Sequence, residues 1–288
     1  MSEVLNVLLA PSQNLTDKDL PYLTYPVYVS GKFDGCRLHV QGNQVRSRTN
    51  KPFPNKRLQE ELGAYDCLDG EVVCGSPTMD GGFNYTQSIV MSQDKQLPED
   101  WVIYVFDLMG IEGTYKQRLD GLSTLVLHPN MIIVEQHLCL TPASVLVWEA
   151  AYRKSGFEGV MVRSVDGPYT EGRCSFSSQT LLKFKRFEDS EGLITGINQG
   201  YKDNPQKALP GQPKIVKSFL CGGFKIWDGK FKWNCEVAPG KLTHEQSAHI
   251  LANPDLYIGK TIKYKFQLKG EMTQPRFPTF QGFRQENE

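Results

Sequence analysis

The chain has 288 residues, 40% of them hydrophobic and 22% charged, which leaves room for two packed domains and excludes a disordered or low-complexity polypeptide. Its formal net charge of zero excludes a uniformly basic nucleic-acid coat, yet residues 1–188 carry 18 Lys+Arg against 22 Asp+Glu while residues 189–288 carry 14 against 10. The apolar run Val4–Ala10 is too short to span a bilayer and lacks a basic flank, and cysteines at 36, 67, 74, 139, 174, 221 and 235 make no C-x-x-C pair or zinc-finger spacing, so free thiols in a cytoplasmic protein are expected.

In chain order, the first strand-like run is Val27–Ser30 in "YPVYVSGKFDGCRLHV", followed by a Gly-punctuated turn with Lys32 and Asp34, and then by strands at Arg37–Gln41 and Gln44–Arg48. A Pro/Asn cap predicts a helix over Pro52–Ala64, and further strands are expected at Cys67–Cys74 and Val102–Leu108. Val145, Trp148 and Tyr152 recur at helical spacing within residues 142–155, before Gly156, and strands follow at Val160–Ser164 and Leu181–Phe187. Antiparallel strands with interspersed helices indicate an α+β domain. Residues 198–217 are rich in Gly, Pro, Asn and Lys and read as a long flexible loop. Beyond it, strands are expected at Phe219–Trp227, Lys230–Val237 and Lys260–Lys269, with a short helix at 243–252. Few strands, one helix and a basic loop fit a small β-barrel such as an OB-fold, with the domain boundary near Asp189: residues 1–188 and 189–288.

The chemistry starts at Lys32. A lysine is nucleophilic only when neutral, and an ordinary amine with a pKa of about 10.4 is almost wholly charged at pH 7. Desolvation and neighbouring cations lower that value. "LLKFKRF" offers cations: Lys183 and Lys185 are two apart on a strand and share one face. Carboxylates come from Asp34, from Glu71 after an Asp-Gly turn in "CLDGEVV", and from Glu158 in "GFEGVMVR". Such acids can hold a divalent cation through oxygen, and lysines, carboxylates and magnesium together are the equipment of nucleotidyl transfer. Taken singly, a strand Glu or Lys is usually a solvated face. The order of "KFDGCR", "SRTNK", "DGE", "YVFD", "EGVMVR" and "LLKFKR" is what carries the specificity.

That ordered set resembles the covalent nucleotidyltransferases, and within them the small ATP-dependent DNA ligases of bacteriophages and bacteria. The resemblance implies an ATP-grasp-like nucleotidyltransferase domain of antiparallel sheets with helices, then an OB-fold barrel. It implies that Lys32 forms a phosphoramide with AMP, that Arg48 contacts the nucleotide or the nick phosphate, and that Glu71 lies near ribose and metal. Phe106 would stack on adenine, although an aromatic in the apolar strand "VIYVFDLM" is equally readable as core. Glu158 would be metal-linked, Lys183 and Lys185 would contact the nucleotide phosphate, and Arg37 and Arg173 would hold phosphate. "PRFP" at 275–278 looks like the family's C-terminal signature, whereas "RQEN" at Arg284–Asn287 departs from the usual R-x-D-K in two places.

The implied reaction has three steps: Lys32 attacks ATP and releases pyrophosphate, AMP passes to a 5′-phosphate at a nick, and the 3′-hydroxyl displaces AMP. ATP and magnesium, with manganese as a possible substitute, are the implied cofactors, and nicked duplex DNA is the partner of a monomer. Asp34, Glu71 and Glu158 are the expected metal ligands. Arg48 and Lys51, the loop lysines Lys202, Lys207 and Lys214, and the strand lysines Lys260, Lys263, Lys265 and Lys269 are candidate DNA contacts, with a hinge near Glu188–Glu191. An RNA ligase, an mRNA capping guanylyltransferase and a nick-binding protein without catalysis stay open as alternatives.

Overall fold

The computed structural model describes residues 4–79, 81–207, 211–267 and 274–284. These form an α+β protein that divides into two compact units, Met1–Lys185 and Arg186–Glu288.

In the first unit, two sheets share the chain almost equally. One has four strands in the order Leu181–Lys185, Gly159–Ser164, Val27–Gly31, His137–Cys139. The other has five, in the order Gln44–Ser47, Cys36–Gln41, Leu68–Cys74, Trp101–Leu108, Met131–Ile133. All neighbours are antiparallel except the last pair. Alternation decides what each strand buries: Trp101, Ile103 and Val105 enter the core while Val102, Tyr104 and Phe106 stand on the opposite face. The segment Lys32–Gly35 carries the chain from the end of Val27–Gly31 in the first sheet to the start of Cys36–Gln41 in the second. Gly35 is dictated by that crossing, because a Cβ there would lie 2.2 Å from the Val72 carbonyl oxygen.

Helix Pro142–Lys154 starts at Thr141, whose hydroxyl accepts from Ser144 N while the Ser144 side chain returns to the Thr141 backbone. Arg153 and Lys154 complement its C-terminal dipole, and the chain leaves through Gly156 at φ 90°. The expected face packs inward: Val145 is fully buried, and Trp148 and Tyr152 rest on the core of the four-stranded sheet. Truncating a core side chain such as Phe184 to alanine would cost about 3–5 kcal/mol. The expected helix at 52–64 is shorter, Lys56–Leu62, with Asn55 as its cap accepting from Leu58 N. Helices Gly82–Val90 and Tyr115–Leu122 were not expected from the sequence pattern.

The second unit is one five-stranded sheet in the order Trp233–Val237, Ile215–Asp228, Glu188–Asp203, Thr261–Gln267, Arg276–Phe283, with helix His244–Ala252 packed on it through Ile250. Its two outer strands meet where Ala238 N donates to Pro278 O at 2.9 Å and Phe280 N donates to Ala238 O at 3.0 Å. A buried chain of hydrogen bonds runs from Trp233 Nε1 to Tyr264 OH at 2.8 Å and on to Asp228 Oδ2 at 2.6 Å.

One expectation is corrected here, and the hinge residues are placed. The long loop at 198–217 shrinks to 204–214, because its flanks continue as paired strands to Asp203 and from Ile215. The expected hinge residues Glu188–Glu191 lie within a strand, paired in register with Phe266 to Lys263. Of the other residues singled out from the sequence, Lys269 and those of "RQEN" after Arg284 lie outside the described residues. Among the described residues no helix is long and apolar enough to cross a membrane.

Candidate active site

The crossing segment opens into a cavity of about 580 Å³ within the first unit. Nine of the expected residues line it: Lys32, Asp34, Arg37, Arg48, Lys51, Glu71, Phe106, Arg173 and Lys183. Met161, Arg163, Phe83, Gln87 and Met91 line it too, none of which was singled out from the sequence.

Lys32 is fixed at both ends. Its backbone N donates to Gly159 O at 3.0 Å, and its Nζ lies 3.2 Å from Glu158 Oε2. The same carboxylate oxygen is 2.6 Å from Lys185 Nζ, so one nearly buried acid is shared by two ammonium groups. The register explains the triad: Lys185 pairs with Gly159, next to Glu158, in the antiparallel ladder. Lys183, two residues back, pairs with Met161 and faces the cavity, as the strand period requires. Burial lowers the Lys183 pKa, and Lys185, Arg173 and Lys32 lower it further.

The three expected metal ligands do not converge on one point. Among the described residues no three His, Cys, Asp or Glu side chains gather into a metal cage. Glu158 is paired with Lys32 and Lys185, and Asp34 and Glu71 are the carboxylates that line the cavity. Glu71 is pushed up to about 7 by burial, against the pull of Arg37 and Lys32, with Asp69 and Asp34 adding to the rise. Cys36, also on the cavity wall, is raised to about 12 by burial and by Glu71, which makes it an unreactive thiol.

Arg37 lines the cavity from a buried anchor. Its Nε and Nη2 each lie 2.7 Å from the two oxygens of Asp69, and Nη2 also donates to Leu8 O at 3.1 Å. The fork is therefore held by a buried carboxylate. The expected Asp-Gly turn at 69–70 is part of strand Leu68–Cys74, on which Asp69 and Glu71, two apart, share a face.

For Phe106 the two readings separate. Its ring is outside the core and faces the cavity, with the Arg37 guanidinium 4.5 Å and the Arg163 guanidinium 5.3 Å from its centroid. Beneath it lies a second ionic set that sequence reasoning missed. Asp107 accepts from Arg118 Nε at 2.6 Å and from Arg163 Nη1, all three nearly or fully buried. Tyr169 OH donates to Asp69 Oδ2 at 2.7 Å and receives Leu8 N at 3.1 Å. A charged residue in the middle of an apolar strand, Asp107 in "YVFDLM", is the signal that could have pointed to this set.

The cationic rim comes from two short segments. Residues 47–51 form a turn closed by Ser47 N to Lys51 O at 2.8 Å, and buried His39 contacts Ser47 O through Nε2 at 3.2 Å. This turn presents exposed Arg48 and Lys51. Arg173 sits on a two-residue strand parallel to Leu8–Leu9, with Nη1 donating to Ala10 O at 2.5 Å.

Lys202, Lys214, Lys263 and Lys265 belong to the second unit. Lys202 and Lys214 are exposed at the far end of the hairpin formed by Glu188–Asp203 and Ile215–Asp228. Lys263 and Lys265 face directly across to Glu191 and Asp189 on the neighbouring strand, which tempers their positive field.

The model of the ATP dependent DNA ligase domain matches residues 9–185. The DNA ligase of Enterobacteria phage T4 is 25% identical over 164 residues, 56% of this chain and 31% of its own length. The multifunctional non-homologous end joining DNA repair protein LigD of Mycobacterium tuberculosis is 30% identical over 186 residues, 59% of this chain and 23% of its own. The chain thus spans less than a third of these curated relatives. Among solved structures, the Chlorella virus DNA ligase-adenylate is 26% identical with a TM-score of 0.55, covering 99% of this chain and 100% of that one. A Lig E DNA ligase shares the fold, with a TM-score of 0.68, 22% identity and coverage of 98% and 100%.

Proposed function

The chain belongs to the ATP-dependent DNA ligase domain family, and from that premise we propose that it seals nicks between a 5′-phosphate and a 3′-hydroxyl in duplex DNA, using ATP through a covalent lysyl-AMP. The observation that carries this reading is the amine of Lys32 in a cavity whose rim holds Arg48, Lys51, Arg173 and Lys183. A nucleophile surrounded by cations suits attack on a phosphorus whose oxygens are negative.

The residues divide the work. Lys32 Nζ forms the bond to the α-phosphorus as pyrophosphate leaves. Glu158 holds that amine at rest, with Oε2 3.2 Å from Nζ, and nucleotide binding has to draw Lys32 away from it. Lys183, with its lowered pKa, and Lys185 are the phosphate contacts. Phe106 offers a ring for the base, with Arg37 positioning that ring from its anchor on Asp69. Arg48 and Lys51 are the expected contacts for the nick phosphate. Asp34 and Glu71 are hard oxygen donors suited to magnesium or manganese, which are held by one or two carboxylates together with substrate phosphates. The bound ion would offset phosphate charge.

The second unit is read as an OB-fold, supported by five strands whose outer members are joined at Ala238. Lys202 and Lys214 on its hairpin are the proposed phosphate contacts for duplex DNA, with smaller contributions from Lys263 and Lys265. Cytoplasmic residence belongs to the same proposal, in keeping with seven free cysteines.

The test is intact-protein mass after incubation with ATP and magnesium. An AMP-sized gain in the wild type, absent in Lys32→Ala, is expected, followed by sealing of a labelled nick in duplex DNA. A folded wild-type protein that gains no mass from ATP, or gains it from GTP instead, would sink the reading.

A further inference from the structure

We propose that Phe33, the unspecified residue of K-x-D-G, is a positioning residue that seats Lys32 for attack on the nucleotide, an inference that rests on the lysyl-AMP reading above. The Phe33 ring stacks on Tyr104 with centroids 4.1 Å apart and planes 23° apart. It meets the Phe157 ring edge-on at 5.4 Å and 90°. Phe157 is itself edge-on to Tyr152 at 5.2 Å and 86°. The same wall closes behind the strand end, where a Cβ on Gly31 would stand 2.8 Å from Tyr152 Cε1 and 3.0 Å from Phe157 Cδ1.

Three consecutive residues thus address the Lys32 segment in three ways. Phe157 offers a ring edge to Phe33, Glu158 offers a carboxylate to Lys32 Nζ, and Gly159 offers a carbonyl to Lys32 N. The carboxylate contact must be given up when the amine becomes a nucleophile, and the carbonyl contact is a single hydrogen bond. The aromatic contact is the one that stays unchanged through that event and joins the segment to both sheets, since Tyr104 belongs to the five-stranded sheet and Phe157 leads into a strand of the other. Offset-stacked and edge-on ring pairs have preferred geometries, so they fix orientation as well as distance. Loss of the ring frees the backbone that aims the amine, and a displacement of about 1 Å at a reacting atom costs on the order of 100-fold in rate.

The experiment measures single-turnover formation of lysyl-AMP and, separately, sealing of a nick that already carries a 5′-adenylate, a step in which Lys32 does not attack phosphorus. Phe33→Ala is expected to slow lysyl-AMP formation on the order of 100-fold, with the ATP concentration for half-maximal rate nearly unchanged and the pre-adenylated nick sealed at close to the wild-type rate. Tyr104→Ala should do the same, and Phe33→Tyr, which keeps the ring, should restore the first step. Wild-type lysyl-AMP formation by Phe33→Ala, or equal loss of both steps, would overturn the proposal in favour of a spacer or of general structural support. A wild-type chain that forms no adduct, or a Lys32→Ala chain that forms one, would overturn the lysyl-AMP reading itself and this inference with it.

Discussion

Replacing Glu71 by glutamine should make the protein more stable at pH 8 and leave it almost unchanged at pH 5. The carboxyl is half-buried on the cavity wall, and burial pushes it up to about 7 from the ordinary 4.5. Its folded pKa is raised, so the folded state holds the proton more tightly than the unfolded chain does. The group therefore favours folding most at low pH, and that advantage drains away as pH rises from 4.5 through 7. A rise from 4.5 to about 7 corresponds to about 3 kcal/mol in full at roughly 1.4 kcal/mol per pH unit, of which about 2–3 kcal/mol is lost between pH 5 and pH 8. Glutamine keeps the shape and removes the titration. Urea unfolding of both proteins at pH 5 and pH 8 reads the effect: the stability difference, variant minus wild type, should be about 2–3 kcal/mol larger at pH 8. A difference that is the same at both pH values would refute the reasoning, because it would place the Glu71 carboxyl in an ordinary, well-solvated setting.

Arg37→Lys retains the charge but loses the two-point grip on Asp69, and should lower stability by about 1–3 kcal/mol with a matching fall in thermal midpoint; an unchanged midpoint would show that the fork is dispensable. Asp107→Asn leaves Arg118 and Arg163 without their buried counter-charge and should cost about 3–5 kcal/mol in urea unfolding. Nick binding should weaken steeply with salt, and the double variant Lys202→Ala with Lys214→Ala should flatten the log–log salt slope by about 2, since each phosphate contact contributes about 0.9; an unaltered slope in fluorescence anisotropy would remove both lysines from the interface. Gly31→Ala should destabilise the protein and slow lysyl-AMP formation, since the added methyl meets Tyr152 and Phe157.

Residue alternation and turn chemistry made most strands of the first unit readable, and they placed Lys183 and Lys185 on one face, as found. Helix Gly82–Val90 was not readable because Gly, Asn, Thr, Gln and Ser make up five of its nine residues, and packing holds it instead: Cys74 N donates to Thr86 Oγ1 at 3.0 Å, and Ile89 and Val90 are buried. Residues 198–217 misled for the opposite reason. Gly200 looks like a loop signal, yet a Cβ on it would lie 2.3 Å from Leu220 O, and one on Gly222 of the facing strand would lie 2.7 Å from Gln199 O, so these two glycines let the strands approach. At the site, sequence names the acids and bases but not who neutralises whom. That Glu158 would be spent on Lys32 and Lys185, and Arg37 on Asp69, depends on contacts between residues far apart in the chain.

The Asp107 set also bears on how the first unit can come apart. Asp107 lies in the five-stranded sheet, Arg163 in the four-stranded one and Arg118 on the helix Tyr115–Leu122. Peeling either sheet away alone would strand a charge in a dry interior, which costs far more than exposing apolar surface of the same size. Fluctuations that open one sheet while the other stays closed are thereby suppressed, and the two behave as a single cooperative unit. Amide hydrogens of Ile103 and Val105 and those of Val160 and Val162 should then exchange with solvent at a common opening free energy, and Asp107→Asn should split them into two classes.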